Sequence, residues 1–184
     1  MIVAILRLGH RLVRDDRTTT HVALVARAFG CQKLYMTGVD DSIKLTIDDV
    51  NDRWGYSNFE IEIVKNWKNV LKKWKENGGF VIHITMYGIN VDDFFRKATK
   101  SKEKILLIVG AEKVPSEVYK LSDYNISVSN QPHSEIAALA IVLDRIFNGQ
   151  QLKLDFKSAK LRIIPSATGK LVEKEKIRGK NDIL

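Results

Sequence analysis

The sequence predicts an α/β fold built on a mostly parallel sheet with helices on both of its sides. Strand-length apolar runs alternate with helical segments along most of its 184 residues, the pattern of successive βα units. The run Ile105 to Val109 is apolar without a break, as in a strand buried on both faces. No internal repeat or low-complexity linker interrupts the alternation.

Ile2 to Leu6 reads as the first strand, followed by a dense polar segment from Arg7 to Arg17. Thr18, Thr19 and Thr20 offer N-cap hydroxyls to a helix over about His21 to Phe29, which Gly30 ends. Lys33 to Thr37 is a second strand. Ser42 is expected to cap a helix closed by Gly55, and Phe59 to Val64 alternates as a third strand. Asn66 caps a Lys- and Trp-rich helix that stops at Gly78-Gly79. Its tryptophans, Trp67 and Trp74, suit the sheet side and its lysines the solvent side. Phe80 to Ile84 is a fourth strand, then a loop, Thr85-Met86-Tyr87-Gly88, and a helix from about Val91.

The stretch from Lys104 to Phe147 organises the rest. Its strand is broken at Gly110-Ala111-Glu112, where a ligand could approach bare backbone. Pro115 suits the first turn of a short helix. Tyr124 to Val128 is a strand that meets the loop Ser129-Asn130-Gln131-Pro132, and a helix runs from about Ser134 to Phe147. Open α/β sheets bind ligands beyond the carboxyl ends of their strands, so these loops are candidate pocket walls. Taken alone, loops of this kind are more often plain strand-to-helix connections. The last helix is apolar nearly all round, which predicts burial nearly all round, with a homodimer partner as the simplest cover. After Gly149 the pattern weakens. Leu152 to Ile164 reads as one or two edge strands and Lys170 to Leu184 as a charged, disordered tail. The expected division is a domain over 1–150 and a C-terminal extension over 151–184.

A hydrophobic content of 45% is enough for one sizeable core. The net charge of +8 suggests a polyanionic partner, nucleic acid being the commonest. One cysteine, Cys31, excludes an internal disulfide framework and a cysteine zinc site. The histidines, His10, His21, His83 and His133, lack metal-ligand spacing, so no metal is expected, and His83 inside a strand reads as a core histidine. No apolar run is long enough to span a bilayer, and the N-terminus lacks a signal peptide's basic start. A soluble, cytoplasmic protein without a membrane partner is expected. GxGxxG after the first strand, GxxxxGK[ST], HExxH and GxSxG are all absent.

Arg11, Arg14 and Arg17 recur at three-residue spacing, and Asp15 and Asp16 could hold them in forked pairs. A phosphate-recognition loop and a solvated loop with internal ion pairs both fit this segment, and its composition does not separate them.

Several separated motifs then occur in one order: GHRLVRDDRTTTHVALVARAFGCQKLYM, VIHITMYG, LLIVGAEKVP, ISVSNQPHSEIAALAIVLDR and RIIPSATGKLV. Together they resemble the archaeal tRNA 2'-O-methyltransferases that modify cytidine 56, members of the SPOUT class. The resemblance covers roughly Met1 to Phe147 and the last motif beyond it. It implies a Rossmann-like sheet with a C-terminal deep trefoil knot, a homodimer, tRNA as substrate and S-adenosylmethionine as methyl donor. The cofactor pocket it implies is formed by Thr85, Met86 and Tyr87, by Gly110, Ala111 and Glu112, and by Ser127, Val128, Asn130, Pro132, His133 and Ser134.

In the broader ribose-methylating branch a helix-borne arginine precedes an AFG sequence, and aligned on Ala28-Phe29-Gly30 that position is Leu24 here. The last motif reads Ser134-Glu135-Ile136 in place of SLN. The arginine is therefore expected from Arg11, Arg14 or Arg17, reaching the cofactor of the neighbouring subunit. Arginine is a poor base, so its expected role is to hold the phosphate beside the target ribose and stabilise developing negative charge. His21 or His10 suits the proton on pKa grounds. Two other readings share the charge and the fold class: a non-catalytic basic RNA-binding protein on the same scaffold, and a small-metabolite α/β enzyme.

Overall fold

The computed structural model describes residues 1–9, 15–39, 41–55, 58–97, 103–111 and 113–174. Six strands form one all-parallel sheet in the order β3-β2-β1-β5-β4-β6. They are β1 (Ile2–Leu8), β2 (Lys33–Met36), β3 (Glu60–Ile63), β4 (Phe80–Asn90), β5 (Lys104–Gly110) and β6 (Tyr124–Ser127). Six helices accompany them: α1 (Asp16–Ala28), α2 (Ser42–Trp54), α3 (Trp67–Glu76), α4 (Val91–Lys97), α5 (Ser116–Leu121) and α6 (Glu135–Phe147). The chain winds outward from β1 through β2 and β3, then crosses to the other side for β4 to β6. The β1/β5 junction is thus the switch point at which α/β sheets open a crevice.

The period-two alternation of a strand sorts the core into two layers. Val3 and Ile5 of β1 join Ile105, Leu107 and Val109 of β5 on the first face, under α1, α2, α4 and α6. Ala4, Leu6 and Leu8 join Leu106 and Ile108 on the second face, under α3 and α5. Each fully buried Leu or Ile contributes roughly 1.5–3 kcal/mol. This double burial is what the unbroken run Ile105 to Val109 signals. On α3, Trp67 and Trp74 pack against the second-face core, and Asn66 caps the helix by accepting from the Lys68 amide at 3.0 Å.

Several expectations need correction. α1 begins at Asp16 rather than near His21; Asp15 occupies its N-cap without a side-chain capping bond, and Thr19 is buried inside the helix. The first turn carries Asp16, which suits the helix's positive end, so a threonine cap is not needed. α2 likewise has Asp41, not Ser42, at its N-cap. The fourth strand does not end at Ile84. Ile84 and Ile89 both pair with Ile126, and Asn90 with Ser127, so Thr85 to Gly88 loop out of a ladder that then resumes.

Gly88 makes this return possible. A Cβ there would sit 2.4–2.5 Å from the backbone of Ile126, a separation no side chain sustains. α6 is not buried all round within one chain, because Ala137 and Ile141 are exposed. Among the described residues the C-terminal segment adds no edge to the main sheet. β7 (Leu161–Ile164) pairs antiparallel with β8 (Leu171–Lys174) as a separate hairpin, and β8 lies in the stretch expected to be tail.

Residues 156–160 pack against α1 and α2 of the first face. The buried Arg27 guanidinium bonds Asn51 Oδ1 at 2.6 Å and the Gly55 carbonyl, with Phe156 of the extension stacked 4.7 Å from it. Lys160 pairs with Asp52 at 2.6 Å. Gly55, at φ +91, has Lys157 and Phe156 so close that a Cβ would meet them at 2.8–3.0 Å. No helix among the described residues is long and apolar enough to cross a membrane, and none of their His, Cys, Asp and Glu side chains cluster as a metal site.

Candidate active site

A cavity of about 760 Å³ opens at the carboxyl ends of β4 and β5. The looped-out turn supplies Thr85, Met86 and Tyr87, the end of β5 supplies Gly110 and Ala111, and the segment before α6 supplies Val128, Pro132 and His133. The last two are the loops that strand-end reasoning makes candidate pocket walls, and the first is the one that the resemblance adds. Ser127, Asn130 and Ser134 do not line it. Asn130 Nδ2 donates to the carbonyls of Met86 (2.7 Å) and Gly88 (3.2 Å) and to Ser127 Oγ (3.2 Å), tying the β6–α6 segment to the looped-out turn. Ser134 caps α6 by accepting from the Ile136 amide. Glu112, Arg11, Arg14 and His10 lie outside the described residues.

Arg17 and His21 are exposed on α1 and do not line this chain's cavity. The cavity wall includes residues the sequence did not single out for it: His83, Tyr119 and Ser116 on one side, and Glu135 on the other. Ser116 and Tyr119 lie one helical turn apart on α5, the spacing that puts two side chains on one face. Without the position of α5, that spacing carries no signal.

Arg7 fixes the geometry of the crevice. It is fully buried at the end of β1, an uncommon place for a guanidinium. Its Nη1 donates to the Gly110 carbonyl at 2.9 Å and its Nη2 to Glu135 Oε1 at 3.1 Å. One side chain thereby joins β1, the end of β5 and the first residue of α6. The Glu135 side chain stays 32% exposed, so a carboxylate is presented to the cavity while anchored from behind.

On the opposite wall, Thr85 Oγ1 lies 3.2 Å from the Tyr119 hydroxyl, and the Tyr119 ring meets His83 edge-on at 4.7 Å. Asn125 Nδ2 donates to the Tyr119 carbonyl, so its Oδ1 faces His83 Nδ1 at 2.9 Å as acceptor. That arrangement assigns the imidazole proton to Nδ1. Burial holds His83 below the ordinary imidazole pKa, opposed by the Asn125 bond.

A histidine whose folded pKa is depressed binds fewer protons folded than unfolded. Stability is therefore lost as pH falls below the unfolded value of about 6.5. His83→Gln is expected to flatten the acid limb of a Tm-versus-pH curve as pH falls below the unfolded value of about 6.5. Parallel curves for the variant and the parent would rule out a titrating His83.

The chain's relatives can now be set beside this geometry. Residues 54–173 match the sequence profile of the family described as tRNA ribose 2'-O-methyltransferase, aTrm56. A protein of Nitrosopumilus maritimus named tRNA (cytidine(56)-2'-O)-methyltransferase is 51% identical over 178 residues, covering 97% of this chain and 99% of its own. A Thermococcus kodakarensis protein of the same name is 50% identical over 175 residues, covering 93% and 96%. Among solved structures, the Streptomyces viridochromogenes SpoU methyltransferase AviRb in complex with AdoMet superposes with a TM-score of 0.60 at 14% identity. That match covers 82% of this chain and 58% of the other. The A. aeolicus TrmH/SpoU tRNA modifying enzyme gives 0.56 at 18% identity, covering 83% and 76%. At such identities the structural matches speak for the fold, which is that of SPOUT methyltransferases.

Proposed function

Because the chain belongs to the tRNA ribose 2'-O-methyltransferase family aTrm56, we propose that it methylates the 2'-hydroxyl of cytidine 56 in tRNA with S-adenosylmethionine. The observation that carries this reading is the cavity at the ends of β4 and β5, with an anchored carboxylate on its wall. The residues fit that donor. The volume lies in the range of small-molecule sites, Val109, Val114, Val128 and Ala138 give it an apolar lining, and Glu135, held at Oε1 by Arg7, offers carboxylate oxygen as an acceptor to a ligand's amino or hydroxyl groups. When bound, S-adenosylmethionine supplies an activated methyl group on a sulfonium sulfur.

Positioning then accounts for most of what this chain contributes. Gly110 and Ala111 let the ligand approach backbone, and Tyr87, 74% exposed, stands at the mouth of the cavity. Thr85 and Tyr119 offer hydroxyls to a polar edge. Our reading gives Arg17, in the first turn of α1, the role of holding the phosphate beside the target ribose, with Arg11 and Arg14 in the same role. His21, one turn on, receives the proton the hydroxyl loses.

Since Arg17 and His21 do not line their own chain's cavity, we place them at the cavity of a second subunit in a homodimer. The exposed Ala137 and Ile141 on α6 belong to its interface. We place a trefoil knot at the crossing of 127–134 with 85–90, where Asn130 binds both Met86 and Gly88. The methyltransferase domain then comprises 1–150 and the extension 151–184.

The test is to incubate the purified chain with an unmodified tRNA transcript and labelled S-adenosylmethionine, map the product, and measure the chain's mass by light scattering. Methylation of the cytidine 56 ribose by a dimer is expected. Label in a base or at another nucleotide would overturn the substrate assignment, and a monomer mass would remove the shared site.

A further inference from the structure

The second face of the sheet is only half covered. α3 and α5 lie over β1, β5 and β4, while β3 follows an alternating pattern that sends Ile61 and Ile63 to the first-face core and leaves Glu60 and Glu62 exposed. Between α3 and strands β1 to β3 this leaves an open cleft of about 670 Å³. Tyr35 and Trp74 contribute aromatic surface to it, and Lys65, Lys73 and Lys104 supply its positive charge.

The lysines of α3 divide into two sets. Those turned away from the cleft are matched: Lys68 with Glu117 at 2.6 Å, Lys75 with Asp123 at 2.8 Å, and Lys72 with Glu76 at 3.9 Å. Lys73, which faces the cleft, and Lys65, just before the helix, pair with no carboxylate among the described residues. The one carboxylate on the wall, Glu62, is held by Lys33 at 2.7 Å. The cleft therefore keeps a net positive charge beside aromatic surface and the carboxamide of Asn69.

We propose that this cleft is a second RNA-contact surface, in which Lys65, Lys73 and Lys104 take backbone phosphates and Tyr35 and Trp74 offer stacking surface to a base. Lys104 donates to the Asn77 carbonyl at 3.3 Å but, like Lys65 and Lys73, meets no carboxylate among the described residues, and Lys33 lies 5.1 Å over the Tyr35 ring. Cations interleaved with aromatic rings are the chemistry that binds nucleic acid without reading its sequence. The inference rests on the reading above that the substrate is a tRNA. Ile2 and Lys104 begin β1 and β5, so the cleft reaches the end of the sheet opposite the cavity. A strand of seven residues spans about 20 Å, so an RNA touching both sites must extend along the protein rather than insert a single nucleotide.

The experiment compares two triple variants of the full chain that lower the net charge equally. One is Lys65→Ala, Lys73→Ala, Lys104→Ala. The other is Lys120→Ala, Lys153→Ala, Lys170→Ala, at exposed positions elsewhere. Binding of an unmodified tRNA transcript is measured across a salt series, and S-adenosylmethionine binding by calorimetry reports an intact fold. The cleft variant is expected to bind tRNA about tenfold more weakly, with a log K against log salt slope shallower by about 2. Its cofactor affinity is expected to match the parent's, and the second triple to shift tRNA binding much less.

Equal shifts in the two triples would reduce the effect to long-range charge and overturn the proposal. So would loss of self-association in the cleft variant with unchanged RNA affinity, which assigns the cleft to a second copy. Should removal of the half-buried Lys104 perturb folding, the Lys65→Ala, Lys73→Ala double variant carries the same comparison. A parent chain that fails to methylate cytidine 56 while the cleft variant still weakens RNA binding would refute the proposed activity and leave the cleft standing.

Discussion

Gly88→Ala is expected to cost on the order of 4 kcal/mol or more in unfolding free energy and to abolish S-adenosylmethionine binding. The added Cβ would meet the carbonyl carbon, Cα and nitrogen of Ile126 at 2.4–2.5 Å. Those are backbone atoms of a paired strand, so no rotamer change relieves the overlap. Either β6 moves off β4 or the looped-out turn is pushed outward, and Thr85, Met86 and Tyr87 leave the cavity wall with it. The Asn130 bonds to Met86 and Gly88 would be lost in both cases. Denaturant unfolding and calorimetry measure the two effects. A variant within about 1 kcal/mol of the parent and still binding cofactor would show that the β4–β6 crossing is looser than described.

Arg7→Met is expected to cost about 3 kcal/mol and to weaken cofactor binding. Removing one partner of a buried ion pair costs about 3–5 kcal/mol because the other charge is left without compensation. Here Glu135 keeps 32% exposure, so water screens part of that penalty and the lower end applies. The Gly110 carbonyl loses its donor as well. Because Gly110 and Glu135 both line the cavity, stability and ligand affinity should fall together. The double variant Arg7→Met, Glu135→Met separates the causes. If the uncompensated carboxylate dominates, stability is partly regained while cofactor affinity is not. A single variant as stable as the parent would mean that Arg7 contributes nothing net to joining β1, β5 and α6.

The sequence by itself determined the fold class and the run of strands that makes the sheet. Double burial leaves an unbroken apolar run such as Ile105 to Val109, and a strand with one covered face leaves an alternation such as Glu60 to Ile63. Both signals are local in the chain, and the sheet lies where they put it. Strand ends also marked the end of β5 and the segment before α6 as candidate walls, because loops at one end of a parallel sheet converge, while the turn at Thr85 to Tyr87 entered through the resemblance.

Only the tertiary structure decided what stands behind and between those loops. Arg7 reads in the sequence as the start of a polar segment, and nothing local shows that the strand continues and buries it against Gly110 and Glu135, 103 and 128 residues away. The return of β4 to β6 after Gly88 depends on where the Ile126 backbone passes, a contact no propensity encodes. The cleft beside α3 arises because the second face has two short helices for six strands. Each of these features depends on chain segments distant in sequence meeting in space, and local patterning carries no record of such meetings.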